Sequence, residues 1–454
     1  MKRSARPKRR AANSGASEAI ATVRIESIAA GGDGVARIEG MACFVPRTAP
    51  GDVVQIAYTK RARFARGRLL QVVEPSPNRT EPRCQHFVRD RCGGCRMQHV
   101  QIEAQHETVR RIVRDAIARV GHREIDLPDL TSGAQWEYRE RLTLTLRQRG
   151  NGWDGGLHAY DNPSRIFSLH ECPVSHPLLL ETWRAIRGKL RGLPLPVSVE
   201  RPLRLSLRLS GEWRDRVAVV VLGGSEWGDG SAWATQLMSG IPALHSVWWI
   251  GDGQRPVRLG GTLPAEANAA DGERDGEAEP ASDDVAFAQI NSAMAAVLRD
   301  YVLGVTAIPG VRSVVDAYAG RGEVAAVLAS RGIVATAIET DPSATHRAEE
   351  LLAPFPDARV VTAPVEAVLE EALPADVVLV NPPRRGLDER VTLTLADAMD
   401  RGVQRIVYVS CDPATLARDV SRLPRWRITS VRCFDMFPQT AHVETVVVLI
   451  PEES

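Results

Sequence analysis

Cysteine is scarce in this chain, seven residues in 454, and the number is odd. A secreted scaffold held by paired disulfides is therefore excluded. Long apolar runs are missing too, since no stretch approaches the roughly 18 residues that a membrane-spanning helix needs. The basic start (Lys2, Arg3, Arg6, Lys8, Arg9, Arg10) is followed by no apolar core before Glu18, which excludes a secretory signal. Net charge is almost absent at +1, and no internal repeat is visible. These absences predict a soluble, cytoplasmic protein without a membrane partner. What is present is an ordinary globular composition, 44% hydrophobic and 25% charged, with enough apolar side chains for more than one core. At roughly 100–200 residues per domain, the length predicts two to four domains.

Changes of composition mark five segments. Residues 1–18 form a basic tail, expected to be disordered. Residues 19–76 predict a small β-barrel: short alternating runs such as Val23-Arg24-Ile25-Glu26 are broken by turns at Gly31–Gly34, Glu39-Gly40 and Pro50–Asp52. One edge of it carries Lys60, Arg61, Arg63, Phe64, Arg66 and Arg68. Cations around an aromatic suit phosphates and a stacked base, although a solvated hairpin tip has the same composition. Residues 77–263 predict a β-rich central domain, opening with a cysteine cluster and a helix over 101–120. Residues 264–284 interleave Ala, Gly and Pro with acidic residues from Glu266 to Asp284. They cannot bury enough apolar surface to fold and are expected to be a flexible acidic linker. Residues 285–454 alternate strand, glycine loop, helix and strand, which predicts an α/β domain with a Rossmann-like open parallel sheet.

In that last segment Val314–Tyr318 leads into Ala319-Gly320-Arg321-Gly322, and Glu339 closes the next strand. Glycines there let the backbone approach a ligand, and an acidic residue at that distance bonds ribose hydroxyls. The third glycine of the dinucleotide fingerprint is lacking, which suits a methyl donor without a pyrophosphate better than a nicotinamide cofactor. A plain glycine turn between strand and helix would look the same. Asn381-Pro382-Pro383-Arg384 follows another apolar strand, at the sheet end where open α/β folds bind ligands. Tyr408–Cys411 places a thiol at a strand end just before a helix, where a lowered pKa and a reactive thiolate are expected. A small buried cysteine would also fit. Glu444 interrupts an apolar run, and a carboxylate so placed is paired, functional or on a solvated edge.

Five stretches in this order, Phe287–Asn291, Asp316–Gly322, Asn381–Leu387, Val409–Asp419 and Asp435–Glu444, resemble the RNA uracil-5-methyltransferases. The N-terminal barrel resembles the RNA-binding TRAM domain. The resemblance implies that Gln289, Tyr318, Gly320, Glu323 and Glu339 contact S-adenosylmethionine with Asn381 beside it, that Cys411 is the nucleophile, and that Glu444 is the general base. Three positions depart from common members: Asn381 replaces Asp, Glu323 replaces Asn and Gln439 replaces His. The implied reaction is addition of the Cys411 thiolate to carbon 6 of uracil, methylation at carbon 5, loss of the carbon 5 proton to Glu444 and expulsion of the thiol. The base must leave its stack for this, which RNA loops permit.

Cys84, Cys92 and Cys95, with Cys172 before Pro173, offer four thiolates. Spacing alone leaves zinc and an iron–sulfur cluster open, with His86 a substitute ligand for zinc. The resemblance favours a [4Fe-4S] cluster over zinc. It also favours ribosomal over transfer RNA as the partner, through the barrel, the cysteines and the Asn-Pro-Pro-Arg-Arg-Gly loop. A monomer is expected. The competing readings are a tRNA uridine-5-methyltransferase, an amino-group methyltransferase, which leaves Cys411 and Glu444 without roles, and a non-catalytic iron–sulfur RNA-binding protein.

Overall fold

The computed structural model describes residues 18–150, 152–190, 195–196, 201–211, 213–262, 284–285 and 289–452. The basic tail over 1–17, the acidic stretch over 264–283 and Phe287 lie outside the described residues. The chain divides into two compact units, Met1–Glu81 with His99–Ala104, and Pro82–Gln98 with Gln105–Ser454.

The first unit holds β1 (Ala19–Arg24), β2 (Ser27–Ile28), β3 (Gly34–Ile38), β4 (Met41–Val45), β5 (Val53–Lys60) and β6 (Ala65–Glu74), hydrogen-bonded in the order β1-β5-β6-β4-β3-β2. Alternation along β4 and β5 sends Cys43, Val45, Val54 and Ile56 into a core shared with Ile25 and Ala36. The wholly buried Asp52 fastens the turn before β5. It accepts the Ala49 and Ser76 N–H groups at 2.7 and 2.9 Å and pairs with Arg79 Nε at 3.1 Å. At the β5–β6 tip Arg61, Arg63, Phe64 and Arg66 are exposed, and the Phe64 ring stands edge-on to Phe44 at 5.8 Å.

In the second unit β7 (Asp129–Thr131) precedes a seven-stranded sheet of β8 (Arg141–Arg149), β9 (Gly152–His158), β10 (Ile166–Ser168), β11 (Arg204–Leu209), β12 (Val217–Leu222), β13 (Leu244–Ile250) and β14 (Val257–Gly261). Helices Pro177–Lys189 and Gly230–Ser239 bury Trp183 and Trp233 against Leu144, Leu205 and Leu207. Asp284, the last residue of the expected acidic linker, is buried rather than solvated. It accepts a hydrogen bond from Ser246 Oγ at 2.6 Å and lies 3.3 Å from His245 Nε2. A carboxylate with two such partners is held, so a flexible linker does not extend through it.

The remaining strands are β15 (Ser313–Ala317), β16 (Val334–Glu339), β17 (Arg359–Thr362), β18 (Val377–Val380), β19 (Arg405–Ser410), β20 (Trp426–Phe434) and β21 (Glu444–Pro451). They form an eight-stranded sheet with β7, in the order β17-β16-β15-β18-β19-β21-β20-β7. Strands β15 to β19 are parallel, and all but the edge strand β17 are buried on both faces, which is why β18 is the unbroken apolar run Val377–Val380. From β15 the chain winds outward to β16 and β17, then returns to lay β18 on its other side. The carboxyl ends of β15 and β18, Ala317 and Val380, are therefore paired neighbours at the topological switch point. The edge strand β7 comes from before the central sheet and pairs with Arg432–Phe434, a contribution too short to show in the sequence pattern. Among the described residues no helix is long and apolar enough to cross a membrane.

Gly322 caps the helix Glu323–Ser330 at φ +74°, and a Cβ there would sit 2.7 Å from Ala348 Cβ. Gly322→Ala is expected to destabilise this part of the molecule by about 1–3 kcal/mol through overpacking and a strained φ. Denaturant unfolding of the two proteins, followed by tryptophan fluorescence, measures it.

Candidate active site

Tyr318 follows β15 with φ +62°, a conformation that costs an aromatic residue energy and bends the chain sharply off the strand end. The next turn is closed by Glu339 at the end of β16. Its Oε2 accepts the Gly320 N–H at 3.0 Å, and its Oε1 accepts those of Thr340 and Asp341 at 2.7 and 3.0 Å. Space beside Gly320 is open, since a Cβ built there meets nothing within 4 Å. Below the loop Asp316 is buried, and burial, reinforced by Glu339, pushes its carboxyl up to about 7 against the Ala325 N–H that stabilises its charge. The loop, the acid and the open space are what a nucleoside-bearing ligand needs at a switch point.

The sequence-predicted residues fall around this point unequally. Asn381 is exposed, and its N–H donates to Ala317 O at 3.2 Å, so the Asn-Pro-Pro loop starts beside Tyr318. Gln289 is exposed two residues before Asn291, whose amide donates to Met436 O at 3.2 Å and whose Oδ1 caps the helix Ser292–Thr306. Glu323 is instead held in an ion pair with Arg299 at 2.9 Å.

Cys411 and Glu444 come together through strand register. In the antiparallel β19–β21 pair, Ser410 stands opposite Thr445. One step past this last pair, Cys411 comes beside Glu444. Glu444 is 8% exposed, and burial pushes its carboxyl up to about 7, with Arg384 pulling the other way. The Cys411 thiol is half-buried and also shifted upward, by burial and then by the facing Glu444, with Arg384 again opposing. This corrects the expectation of a lowered thiol pKa at a helix start. The N-terminal N–H groups of the helix Pro413–Ser421, those of Ala414 and Thr415, donate to Asp412 Oδ1 at 2.9 Å each and are not aimed at the sulfur.

Three contributors were given no role by the sequence reading. Arg384 acts on Cys411, Glu444 and His442 at once. Asp419 is wholly buried beneath the 381–387 loop. Gln439, at φ +69°, accepts the Arg96 and Met97 N–H groups on its carbonyl at 3.0 and 2.9 Å and the Gln105 amide on its side chain at 3.0 Å. Arg384 lay inside a quoted motif, but only the folded chain gives it three partners.

The four cysteines share one neighbourhood. Cys84, Cys95 and Cys172 pack with Phe87, Tyr138 and Val174, and Cys92 packs against Cys172 from the adjoining core. All are free thiols. Burial, helped by the other thiols, pushes Cys84 up to about 11 and Cys95 up to about 12. Yet among the described residues no three His, Cys, Asp or Glu side chains are arranged to hold a metal ion. His86 cannot stand in for a sulfur, because Nδ1 faces Asp90 at 2.7 Å and Nε2 accepts the His170 N–H at 3.1 Å.

Comparison with known proteins supplies the family and the fold. Residues 347–452 match the tRNA (Uracil-5-)-methyltransferase family model, and residues 19–70 match the TRAM domain. A protein of Thermosynechococcus vestitus named as an uncharacterized RNA methyltransferase is 31% identical over 94% of this chain and 97% of its own. Another so named, from Halalkalibacterium halodurans, is 28% identical over 95% and 96%. The Pyrococcus abyssi tRNA (uracil-54, C5)-methyltransferase, solved with S-adenosyl-L-homocysteine, shares the fold at a TM-score of 0.68 and 23% identity, over 95% of this chain and 100% of that one. The family models and the relatives together show that the chain belongs to the RNA (uracil-5-)-methyltransferase family, with a TRAM domain at its N-terminal end.

Proposed function

We propose that this protein transfers a methyl group from S-adenosylmethionine to carbon 5 of a specific uridine in structured RNA, through a covalent bond between Cys411 and carbon 6. The observation that carries the reading is the β19–β21 register, which faces a thiol with a buried carboxylate at the end of the sheet holding the Tyr318–Gly322 loop. S-adenosylmethionine supplies an electrophilic methyl when bound. Gln289, Tyr318, Gly320, Glu339 and Asn381 would hold it, and the open space beside Gly320 fits that role. Glu323 would join them only by giving up Arg299.

The chain's own groups then divide the work. The Cys411 thiolate adds to carbon 6, and the electrons of the 5,6 double bond move onto the ring as an enolate. Carbon 5 takes the methyl. Glu444 accepts the carbon 5 proton, the double bond re-forms, and the carbon–sulfur pair returns to Cys411. A carboxyl near 7 suits a base that must take and release a proton at neutral pH. The exposed arginines around Phe64 would grip the RNA backbone.

Ribosomal RNA is the favoured substrate, on the Asn-Pro-Pro-Arg-Arg-Gly loop and the cysteine cluster. Transfer RNA is the second reading, favoured by the description of the matching family. In either case the protein is read as a cytoplasmic monomer. Nucleoside mass spectrometry of ribosomal and transfer RNA from cells with and without the gene is expected to show loss of one 5-methyluridine, restored by wild type and not by Cys411→Ala. An unchanged 5-methyluridine profile rejects the reading. With RNA carrying 5-fluorouridine, wild type is expected to form a stable adduct and Cys411→Ala none, an outcome that an amino-group methyltransferase would not give.

Release of methylated RNA in a single turnover should depend on pH in a defined direction. Glu444 accepts a proton only when ionised, so the rate is expected to fall as pH drops below about 7. Glu444→Gln should leave addition intact but block elimination, so that adduct accumulates. Denaturing gels across pH 5.5 to about 9 test both points.

We further propose that Cys84, Cys92, Cys95 and Cys172 hold a [4Fe-4S] cluster. Four thiols gathered in one neighbourhood are the donor set that such a cluster takes, and closing them around it would require the side chains to turn from their present arrangement. The cluster would brace the segment that carries Arg96 and Met97 onto Gln439. Anaerobically purified protein is expected to contain iron and acid-labile sulfide in equal amounts, both lost in Cys95→Ala, whereas zinc without sulfide would reject the cluster.

A further inference from the structure

Asp419 lies in the helix after the nucleophile, yet its carboxylate serves the preceding loop. Oδ2 accepts the Leu387 N–H at 2.8 Å and the Tyr408 O–H at 2.7 Å. Oδ1 accepts Arg418 Nε at 2.8 Å, and Arg418 Nη2 reaches on to Arg385 O at 2.9 Å. The carboxylate has no exposed surface, and it approaches the loop so closely that a Cβ at Gly386 would lie 2.5 Å from Oδ2. Buried groups this fully bonded fix the backbone they bind. The two ends of the 381–387 loop are thus held separately, the Asn381 end by Ala317 on the cofactor side and the Arg385–Leu387 end by Asp419. Arg384 stands directly before the second anchor. Tyr408, the third party, sits on β19 three residues before Cys411.

We propose that Asp419 is a positioning residue: through Leu387, Arg418 and Tyr408 it clamps the carboxyl end of the 381–387 loop to β19 and so fixes the backbone that carries Arg384 beside the Cys411–Glu444 pair. The clamp places a permanent cation where a thiolate and a carboxylate must both be able to form. It deepens the uridine-5-methyltransferase reading, on which its role in catalysis rests.

The charged groups that bear on Cys411 are Glu444 from β21, Arg384 from the loop and its own neighbour Asp412. His442 lies within reach of Arg384, Asp412 and Arg96. Of these only Arg384 depends on the clamp. Loosening it removes the cation that favours both anions, so both groups hold their protons to higher pH.

The test uses the full chain in wild-type, Asp419→Asn and Tyr408→Phe forms. First, the rate of iodoacetamide alkylation at Cys411 is followed against pH by peptide mass spectrometry, which needs no methyl transfer. The midpoint is expected to rise by about 0.5–1 pH unit in Asp419→Asn and by less in Tyr408→Phe. Second, single-turnover methyl transfer to RNA from cells lacking the gene is expected to fall about 10–100-fold in Asp419→Asn, with its acid limb displaced upward. Binding of S-adenosylhomocysteine is expected to stay within about threefold of wild type, because the Ala317 anchor is untouched. An alkylation midpoint unchanged in both variants overturns the proposal. So does a loss of transfer that is equal at every pH and matches lost S-adenosylhomocysteine binding, which is the signature of a merely structural residue. If Asp419→Asn does not fold, the Tyr408→Phe midpoint decides. Absence of methyl transfer and of a 5-fluorouridine adduct in wild type would sink the enzymatic reading instead, while the alkylation result would still judge the clamp.

Discussion

Strand β21 runs antiparallel along β19, inserted between it and β20, and the chemistry proposed for this protein depends on that insertion. A purely parallel sheet would end its strands side by side with their connections all leaving in one direction. The reversed strand begins where β19 stops, so the first residue of one meets the residue just past the last of the other. Register then does what no local motif can. Ser410 opposite Thr445 brings Cys411, just past the end of the ladder, beside Glu444, 33 positions away in sequence.

Facing a thiol with a carboxylate under partial burial has an electrostatic consequence. The Glu444 carboxylate disfavours the Cys411 thiolate, and burial disfavours both anions, so both groups keep their protons to higher pH than they would in water. The opposing influence is Arg384, supplied from the loop after β18. The helix dipole that a sequence reading assigns to Cys411 is largely taken by Asp412, whose carboxylate collects the free N–H groups at the helix start. A cap that stabilises the helix thereby removes the donors that would otherwise favour the thiolate.

The segment that bears the cysteines is built into the same region. The Gln439 carbonyl takes two N–H groups from the residues after Cys95, and Tyr138, packed among the thiols, donates its hydroxyl to Pro438 O at 3.0 Å. The Asp435–Glu444 loop is thus held from the side of the thiols as well as from its own sheet. This gives the thiol cluster a mechanical connection to the proposed base.

Much of this was legible in the sequence because it is local. Strand periods, glycine turns and unbroken apolar runs follow from backbone geometry and from burial on one or both faces, so the small β unit and the parallel strands β15, β16, β18 and β19 could be read directly, while the exposed edge strand β17 could not. The motif order also named Cys411, Glu444 and Glu339, and the relatives establish the family that this order suggested. What the sequence could not carry was anything set by a partner far along the chain. The three-residue strand Asp129–Thr131 exists only because Arg432–Phe434 offers it an edge. Asp284 looked like the end of a solvated acidic run until Ser246 and His245 enclosed it. The upward shift of the Cys411 thiol reversed a local rule because burial and a facing carboxylate are tertiary facts. Sequence by itself determined which elements form and which chemical groups they carry. Tertiary structure decided which of those groups face each other, since hydrogen-bond register and desolvation depend on neighbours that linear order does not specify.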